Sequence, residues 1–170
     1  AGDPDSVVLR QLRATALGKK VDFGGDIEDD GTLGLFEWSA PDEAATDDMK
    51  ALEQALRLKE QHPGSTIQVL TMGPSRAAEV VRESLFRGAD GGYLLSDSAF
   101  AGADTLATSY ALSQAIKKIG MPDLIIGGRQ AIDGDTAQVG PQVAQKLGLD
   151  QVTYVESVES VVDGKVTLVR

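Results

Sequence analysis

One stretch of this chain gathers the residue types that can hold a phosphorylated ligand: Gly127-Gly128-Arg129-Gln130-Ala131-Ile132-Asp133-Gly134-Asp135-Thr136-Ala137-Gln138-Val139-Gly140. Gly127, Gly128 and Gly134 permit close backbone approach. Thr136, Ala137 and Gln138 stand at the mouth of a run with helical spacing, where free N–H groups and the positive dipole end suit an anion. Asp133 and Asp135 would repel a phosphate and suit ribose hydroxyls or a backbone turn instead. The same spacing equally fits an ordinary connection with an Asp-rich turn. Neither G-x-x-x-x-G-K-[ST] nor G-x-G-x-x-G after a strand occurs, so neither standard phosphate fingerprint applies.

Two other segments fall where a strand gives way to a helix. Met72-Gly73-Pro74-Ser75 is one; as a bare turn it needs only Ser75 as an N-cap. Ser96 to Thr108, passing through Gly102, is the other, and it brings Asp104, Thr105, Thr108 and Ser109 to a helix start. A capping Asp with small polar packing residues accounts for it as well. The single histidine, His62, precedes Pro63-Gly64 and reads as a solvent-facing helix end, which removes a Ser-His-Asp triad. With no cysteine, thiolate metal sites, iron–sulfur clusters and thiol nucleophiles are excluded. Asp26 to Asp30 does not follow the calcium-loop order, so no metal site is expected. Phe36 and Trp38 read as core or interface residues. No acid–base pair is poised for catalysis, so any redox chemistry belongs to a bound cofactor.

The bulk properties narrow the partners. A formal net charge of −10 argues against nonspecific binding to nucleic acid or an anionic membrane. No apolar run approaches the roughly 18 residues of a membrane span. Ala1-Gly2-Asp3-Pro4-Asp5 has neither the basic region nor the apolar stretch of a signal peptide, so a cytoplasmic protein is expected.

The elements that must position these residues follow from periodicity. Ser6 to Leu17 fits a helix, Gly24-Gly25 and Asp29-Asp30-Gly31 punctuate a loop, and Thr32 to Trp38 fits a short strand. A helix opens at Asp47-Asp48, carries Met49, Leu52 and Leu56 on one stripe, and ends near Pro63-Gly64. Thr66 to Met72 is a buried strand. Ser75 caps a helix with Ala77, Val80, Val81 and Leu85 inward, stopped by Gly88. Tyr93 to Leu95, a helix from Asp104 or Thr105 to Ile119, a strand from Asp123 to Gly127, and a helix from about Ala137 to Leu147 complete the alternation. Val152 to Val162 and Lys165 to Val169 flank Asp163-Gly164 as a hairpin. Repeated βα units predict an α/β fold with a mostly parallel sheet and a C-terminal β-hairpin. Residues 1–45 read as an atypical N-terminal segment and 46–170 as a nucleotide-binding α/β domain, one domain overall.

With these pieces placed, Asp123-Leu124-Ile125-Ile126 followed by G-G-R-Q-A-I-D-G-D-T-A-Q-V-G-P-Q resembles the signature of electron-transfer flavoprotein beta subunits. The resemblance runs over roughly residues 46–160. It includes Asp47 to Glu60, similar to the family's first helix, Thr71-Met72-Gly73-Pro74, Ala101 to Ser109, and Val152-Thr153-Tyr154-Val155. It implies a three-layer Rossmann-like fold of the adenine nucleotide alpha hydrolase-like kind. Members that bind AMP in this subunit read D-D-D and Q-T-G in the long loop. Asp133-Gly134-Asp135 and Gln138-Val139-Gly140, with A-D-T-L-A-T-S upstream, resemble the electron-bifurcating branch. For that branch the resemblance implies FAD in place of AMP, NADH as electron donor, and a heterodimer with an alpha subunit. Ferredoxin or flavodoxin would be one acceptor, and an acyl-CoA dehydrogenase or quinone reductase the other. Position by position, Ala137, Gln138, Val139 and Gly140 would hold the phosphates, and Gly73, Asp104, Thr105, Thr108, Gln130, Asp133 and Thr136 would line the rest of the pocket. An AMP-binding subunit and a cofactor-free docking module are the alternatives.

The sequence departs from the family in three places. The family opens on an apolar strand running into K-Q-V-P-D, whereas Gly2-Asp3-Pro4-Asp5 resembles at best the end of that motif. Ser6 to Leu12, a neighbouring chain or a rearranged domain would then supply the central strand. Ala45-Thr46 stands where the family favours N-P, which removes one pocket contact. The family's C-terminal arm, which wraps the alpha subunit, lies beyond Arg170.

Overall fold

The structure, a computed structural model, describes residues 9–12, 32–37, 46–129, 136–162 and 165–170. The expectations for Gly2 to Asp5, the loop through Gly24 to Gly31, Trp38, Gln130, Asp133 to Asp135 and Asp163-Gly164 lie outside the described residues.

A five-stranded sheet runs in the order β1-β4-β3-β2-β5, with β1 at Leu9–Leu12, β2 at Thr32–Glu37, β3 at Thr66–Met72, β4 at Gly91–Leu95 and β5 at Leu124–Gly127. Strands β2 to β5 are parallel, and β1 pairs antiparallel with the outer edge of β4. The place expected to lack its strand is filled by Thr32–Glu37. It lies between β3 and β5, with Leu35 opposite both Val69 and Ile126. The helix expected across Ser6 to Leu17 is not found over Leu9–Leu12, which is a strand. Its apolar spacing fits either period, and the open edge of β4 offers a row of backbone groups that only a strand can satisfy.

Helices α1 (Thr46–Gln61) and α2 (Ala78–Arg87) cover one face of the sheet, and α3 (Thr105–Ile119) and α4 (Val139–Leu147) the other. Strand β3 shows why both faces must be covered. Ile67 and Val69 point into a cluster with Ala51, Leu52, Ala55 and Leu58 of α1. Leu70 and Met72 point the opposite way, into Leu112, Ala115 and Ile116 of α3 and Val143 of α4. Successive side chains alternate across a strand, so a strand buried on both faces is stable only between two layers. Each fully buried aliphatic side chain, such as Leu52 at 1% exposure, contributes about 1.5–3 kcal/mol.

The helix boundaries have local causes. Asp104 caps α3 by accepting the Ala107 N–H at 2.8 Å. Helix α4 stops at Gly148, whose φ of 72° is the left-handed conformation that glycine adopts without strain. Ser75 does not cap α2 as expected. It begins a 3-10 turn, Ser75–Ala77, that leads into α2 with no side-chain cap bond.

The C-terminal hairpin, β6 (Ser157–Val162) and β7 (Lys165–Val169), is a separate antiparallel sheet with a register shift between Val158 and Ser160. It docks on α1. Val161 is 4% exposed in the α1 cluster, Val158 and Val166 pack beside it, and the Gln54 amide donates to the Val158 carbonyl at 3.4 Å. Among the described residues no helix is long and apolar enough to cross a membrane.

Candidate functional site

The chain lays down β2, β3 and β4 in one direction, then returns across the sheet to place β5 on the far side of β2. The direction of winding reverses between β2 and β5, and ligands in open α/β sheets bind beyond the carboxyl ends of the strands at such a reversal. Gly127 ends β5 there. The next residue, Gly128, donates its N–H to Asp48 Oδ1 at 3.1 Å. Asp48 is 6% exposed, in the first turn of α1. A Cβ on Gly128 would collide with the Asp48 carboxylate and come within 3.0 Å of the Asp48 backbone nitrogen. The first turn of α1 is thereby fastened to the start of the glycine-rich loop. This contact joins residues 80 apart. Sequence reasoning gave Asp48 only a role in the helix dipole, and its one available signal was an acidic residue in a first turn.

The mouth of α4 takes up the loop again at Thr136. Ala137 stands at φ 52°, a left-handed conformation that costs a residue with a Cβ roughly 1–2 kcal/mol. Gln138 follows as the N-cap in right-handed backbone, φ −99° and ψ −26°, with no side-chain cap bond. Left- and right-handed residues in succession turn their N–H groups toward one point, a concavity that suits an anion. The first N–H groups of α4 have no partner within the helix. Gly140, in the first turn, borders open space.

The mouth of α3 lies alongside. Thr105 Oγ1 donates to Gln138 Oε1 at 3.1 Å, so the structure brings these two expected site residues together. Asp104 sits at the same mouth with its carboxylate committed to the helix cap. Thr108 is one turn in and 6% exposed. Gly73, at the end of β3, donates its N–H to the Leu95 carbonyl at 2.9 Å and is separated from β5 by β2. Thr136, Val139 and Gly140 belong to the α4 mouth itself. His62 is half-buried rather than solvent-facing, because it continues the last turn of α1 with its N–H on the Leu58 carbonyl at 2.9 Å.

Beyond α4 the chain returns to the same rim. The Tyr154 ring lies 6.0 Å from the Arg129 guanidinium, at the outer reach of a cation–π contact. Tyr154 is itself left-handed, at φ 58°. An open, uncharged groove of about 430 Å³ beside α4, lined by Pro141, Gln142, Gln145, Leu149 and Gln151, shares none of the expected ligand residues. Among the described residues, no three His, Cys, Asp or Glu side chains gather as a metal site would require.

Residues 33–170 match the electron transfer flavoprotein domain. The chain belongs to the electron transfer flavoprotein family. It is 48% identical over 149 residues to the caffeyl-CoA reductase–Etf complex subunit CarD of Acetobacterium woodii, an overlap covering 87% of this chain and 57% of that protein. It is 52% identical over 128 residues to the electron transfer flavoprotein subunit beta of Thermoanaerobacterium thermosaccharolyticum, covering 75% of this chain and 48% of that one. Protein FixA of Sinorhizobium fredii is 56% identical over 118 residues, 67% of this chain and 41% of the relative. The likeness is to the beta-subunit side of this flavoprotein family, and the chain spans about half the length of the curated relatives it matches.

Proposed function

We propose that this flavoprotein chain is the nucleotide-binding core of a beta subunit of the electron-bifurcating branch, with a Rossmann-like fold of the adenine nucleotide alpha hydrolase-like kind. The N–H groups of Ala137, Gln138, Val139 and Gly140 hold the pyrophosphate of FAD. Gly73, Thr105, Gln130, Asp133 and Thr136 line the remainder, and Asp104 and Thr108 keep the α3 mouth in place beside it. The observation that carries this reading is Ala137, held left-handed at a helix mouth without a side-chain cap. Such strain persists where surrounding structure over-determines it, and it gathers at ligand clamps. The residues present fit the group: a left-handed Ala137 followed by a right-handed Gln138 suits an anion at an uncapped helix mouth, and Gly140 leaves room.

When bound, FAD supplies hydride acceptance and the release of single electrons, while the chain's own groups bind and orient it. In this reading an alpha subunit completes the heterodimer. NADH is the electron donor; ferredoxin or flavodoxin is one acceptor, and an acyl-CoA dehydrogenase or a quinone reductase the other. The chain is then the electron-transfer subunit of an NADH-dependent complex working in the cytoplasm. Two relatives, one a caffeyl-CoA reductase–Etf complex subunit and one an electron transfer flavoprotein beta subunit, support it.

Mass spectrometry of the small molecule released on denaturation, together with visible absorbance, tests the proposal. FAD and its visible bands are the expected result. AMP, which absorbs only in the ultraviolet, would replace the flavin half of the reading. No released nucleotide, and no binding of added FAD or AMP, would overturn it.

A further inference from the structure

A chain of polar side chains crosses from the interior of α3 to the mouth of α4. Ser109, fully buried, donates to Gln142 Oε1 at 2.8 Å. The same hydroxyl proton is shared with the Leu106 carbonyl of its own helix, at 2.9 Å. The Gln142 amide donates to Thr105 Oγ1 through a looser contact of 3.4 Å. Thr105 in turn donates to Gln138 Oε1 at 3.1 Å. The direction of the last step follows from the one before it. Thr105 Oγ1 already receives the Gln142 amide, so its own proton is the one left to offer, and Gln138 turns its oxygen to meet it.

A primary amide has one acceptor end and one donor end. With Oε1 committed to Thr105, the exposed Gln138 side chain presents its –NH2. The ionised oxygens of a phosphate accept, so this is the orientation they can use; without the Thr105 bond nothing holds the Gln138 oxygen away from them.

We propose that Thr105 is a positioning residue: through Gln138, and backed by Gln142 and Ser109, it sets the α4 mouth to favour the phosphate of the nucleotide over its nucleoside part. This rests on the nucleotide reading above and refines it, because the sequence pattern placed Thr105 among the pocket-lining residues and the geometry gives it work through another side chain.

Isothermal titration of AMP and of adenosine into the wild-type chain and into Thr105→Val, Thr105→Ser and Ser109→Ala tests the inference, with the melting temperature of each variant measured alongside. Thr105→Val removes the hydroxyl at nearly constant shape and is expected to weaken AMP binding about tenfold, the effect of losing one hydrogen bond to a charged group. Adenosine binding should change by less than about twofold. Thr105→Ser restores the hydroxyl and should bring AMP affinity back to within about twofold of wild type, and Ser109→Ala should show a loss of about threefold. Wild-type AMP affinity in Thr105→Val, an equal loss for AMP and adenosine, or failure of Thr105→Ser to rescue would each overturn the inference while leaving the nucleotide reading standing. A wild-type chain that binds neither AMP nor adenosine would overturn the inference, and one that also fails to bind added FAD would overturn the nucleotide reading as well.

Discussion

At the amino-end rim of the sheet, Lys59 Nζ meets Asp90 Oδ1 at 2.6 Å, the other Asp90 oxygen receives the Ile67 N–H at 2.8 Å, and Lys59 also donates to the Gly88 carbonyl at 3.1 Å. At the carboxyl-end rim, Ala137 is held left-handed and α4 opens without a side-chain cap. The first rim ties the end of α1, the turn after α2 and the start of β3 into one node of mutually satisfied groups. The second keeps backbone donors and carries strain. A buried polar group left without a partner costs about 1–3 kcal/mol, so a rim that only stabilises is expected to be saturated. Strain that stability alone would remove is expected where a ligand is gripped. Asp48 sits between these two kinds of construction. Its carboxylate accepts a backbone N–H as that of Asp90 does, and it is more deeply buried, yet it stands at the carboxyl-end rim and fixes the point from which the glycine-rich loop departs.

The sharpest way to break the comparison is at that junction. Gly128→Ala drives a methyl group into the Asp48 carboxylate and separates it from its N–H partner. Overpacking and a disrupted buried acceptor together predict a loss of about 3 kcal/mol in unfolding free energy, accompanied by weaker nucleotide binding. Urea unfolding and an AMP titration check both halves; wild-type stability would show that the loop is not fastened there. Asp90→Ala at the opposite rim leaves the Ile67 N–H and Lys59 without their shared partner. It should lower stability by about 2 kcal/mol at unchanged m-value while AMP affinity stays at the wild-type level. A fall in affinity would mean that the two rims are not separable. Gln138→Glu places negative charge at the α4 mouth, where it favours the helix dipole and opposes a phosphate. The melting temperature should rise slightly while AMP binding weakens by at least about 1 kcal/mol; unchanged affinity would remove this mouth from the site. Ala137→Gly relieves the left-handed strain at some cost in backbone entropy, for a net gain of about 0.5 kcal/mol in stability. A destabilised variant would show that the conformation of Ala137 is not held against its own preference.

The parts of this fold that were legible in advance are those whose cause is local. The stripe through Met49, Leu52 and Leu56, the apolar run Thr66 to Met72, the capping Asp104 with the stop at Gly120, and the stop at Gly148 each carry their signal within a few residues. The structure places α1, β3, α3 and α4 accordingly. The location of the glycine-rich stretch between β5 and α4 was legible for the same reason. The strand at Leu9–Leu12 was not, because four residues with two leucines fit a helix or a strand equally and the edge of β4 decided between them.

The sequence by itself determined an alternating α/β chain, which residues are apolar on which period, and the presence of an anion-suited stretch after the last parallel strand. Only the tertiary structure decided that Thr32–Glu37 is inserted between β3 and β5, that Asp48 closes on Gly128, that Thr105 reaches Gln138, and that Ala137 is bent against its preference. The reason is physical. Periodicity and capping are set by neighbours a turn apart, whereas these contacts join residues 33 and 80 positions apart and exist only once packing of the two core layers has brought the strand ends and helix mouths to one rim.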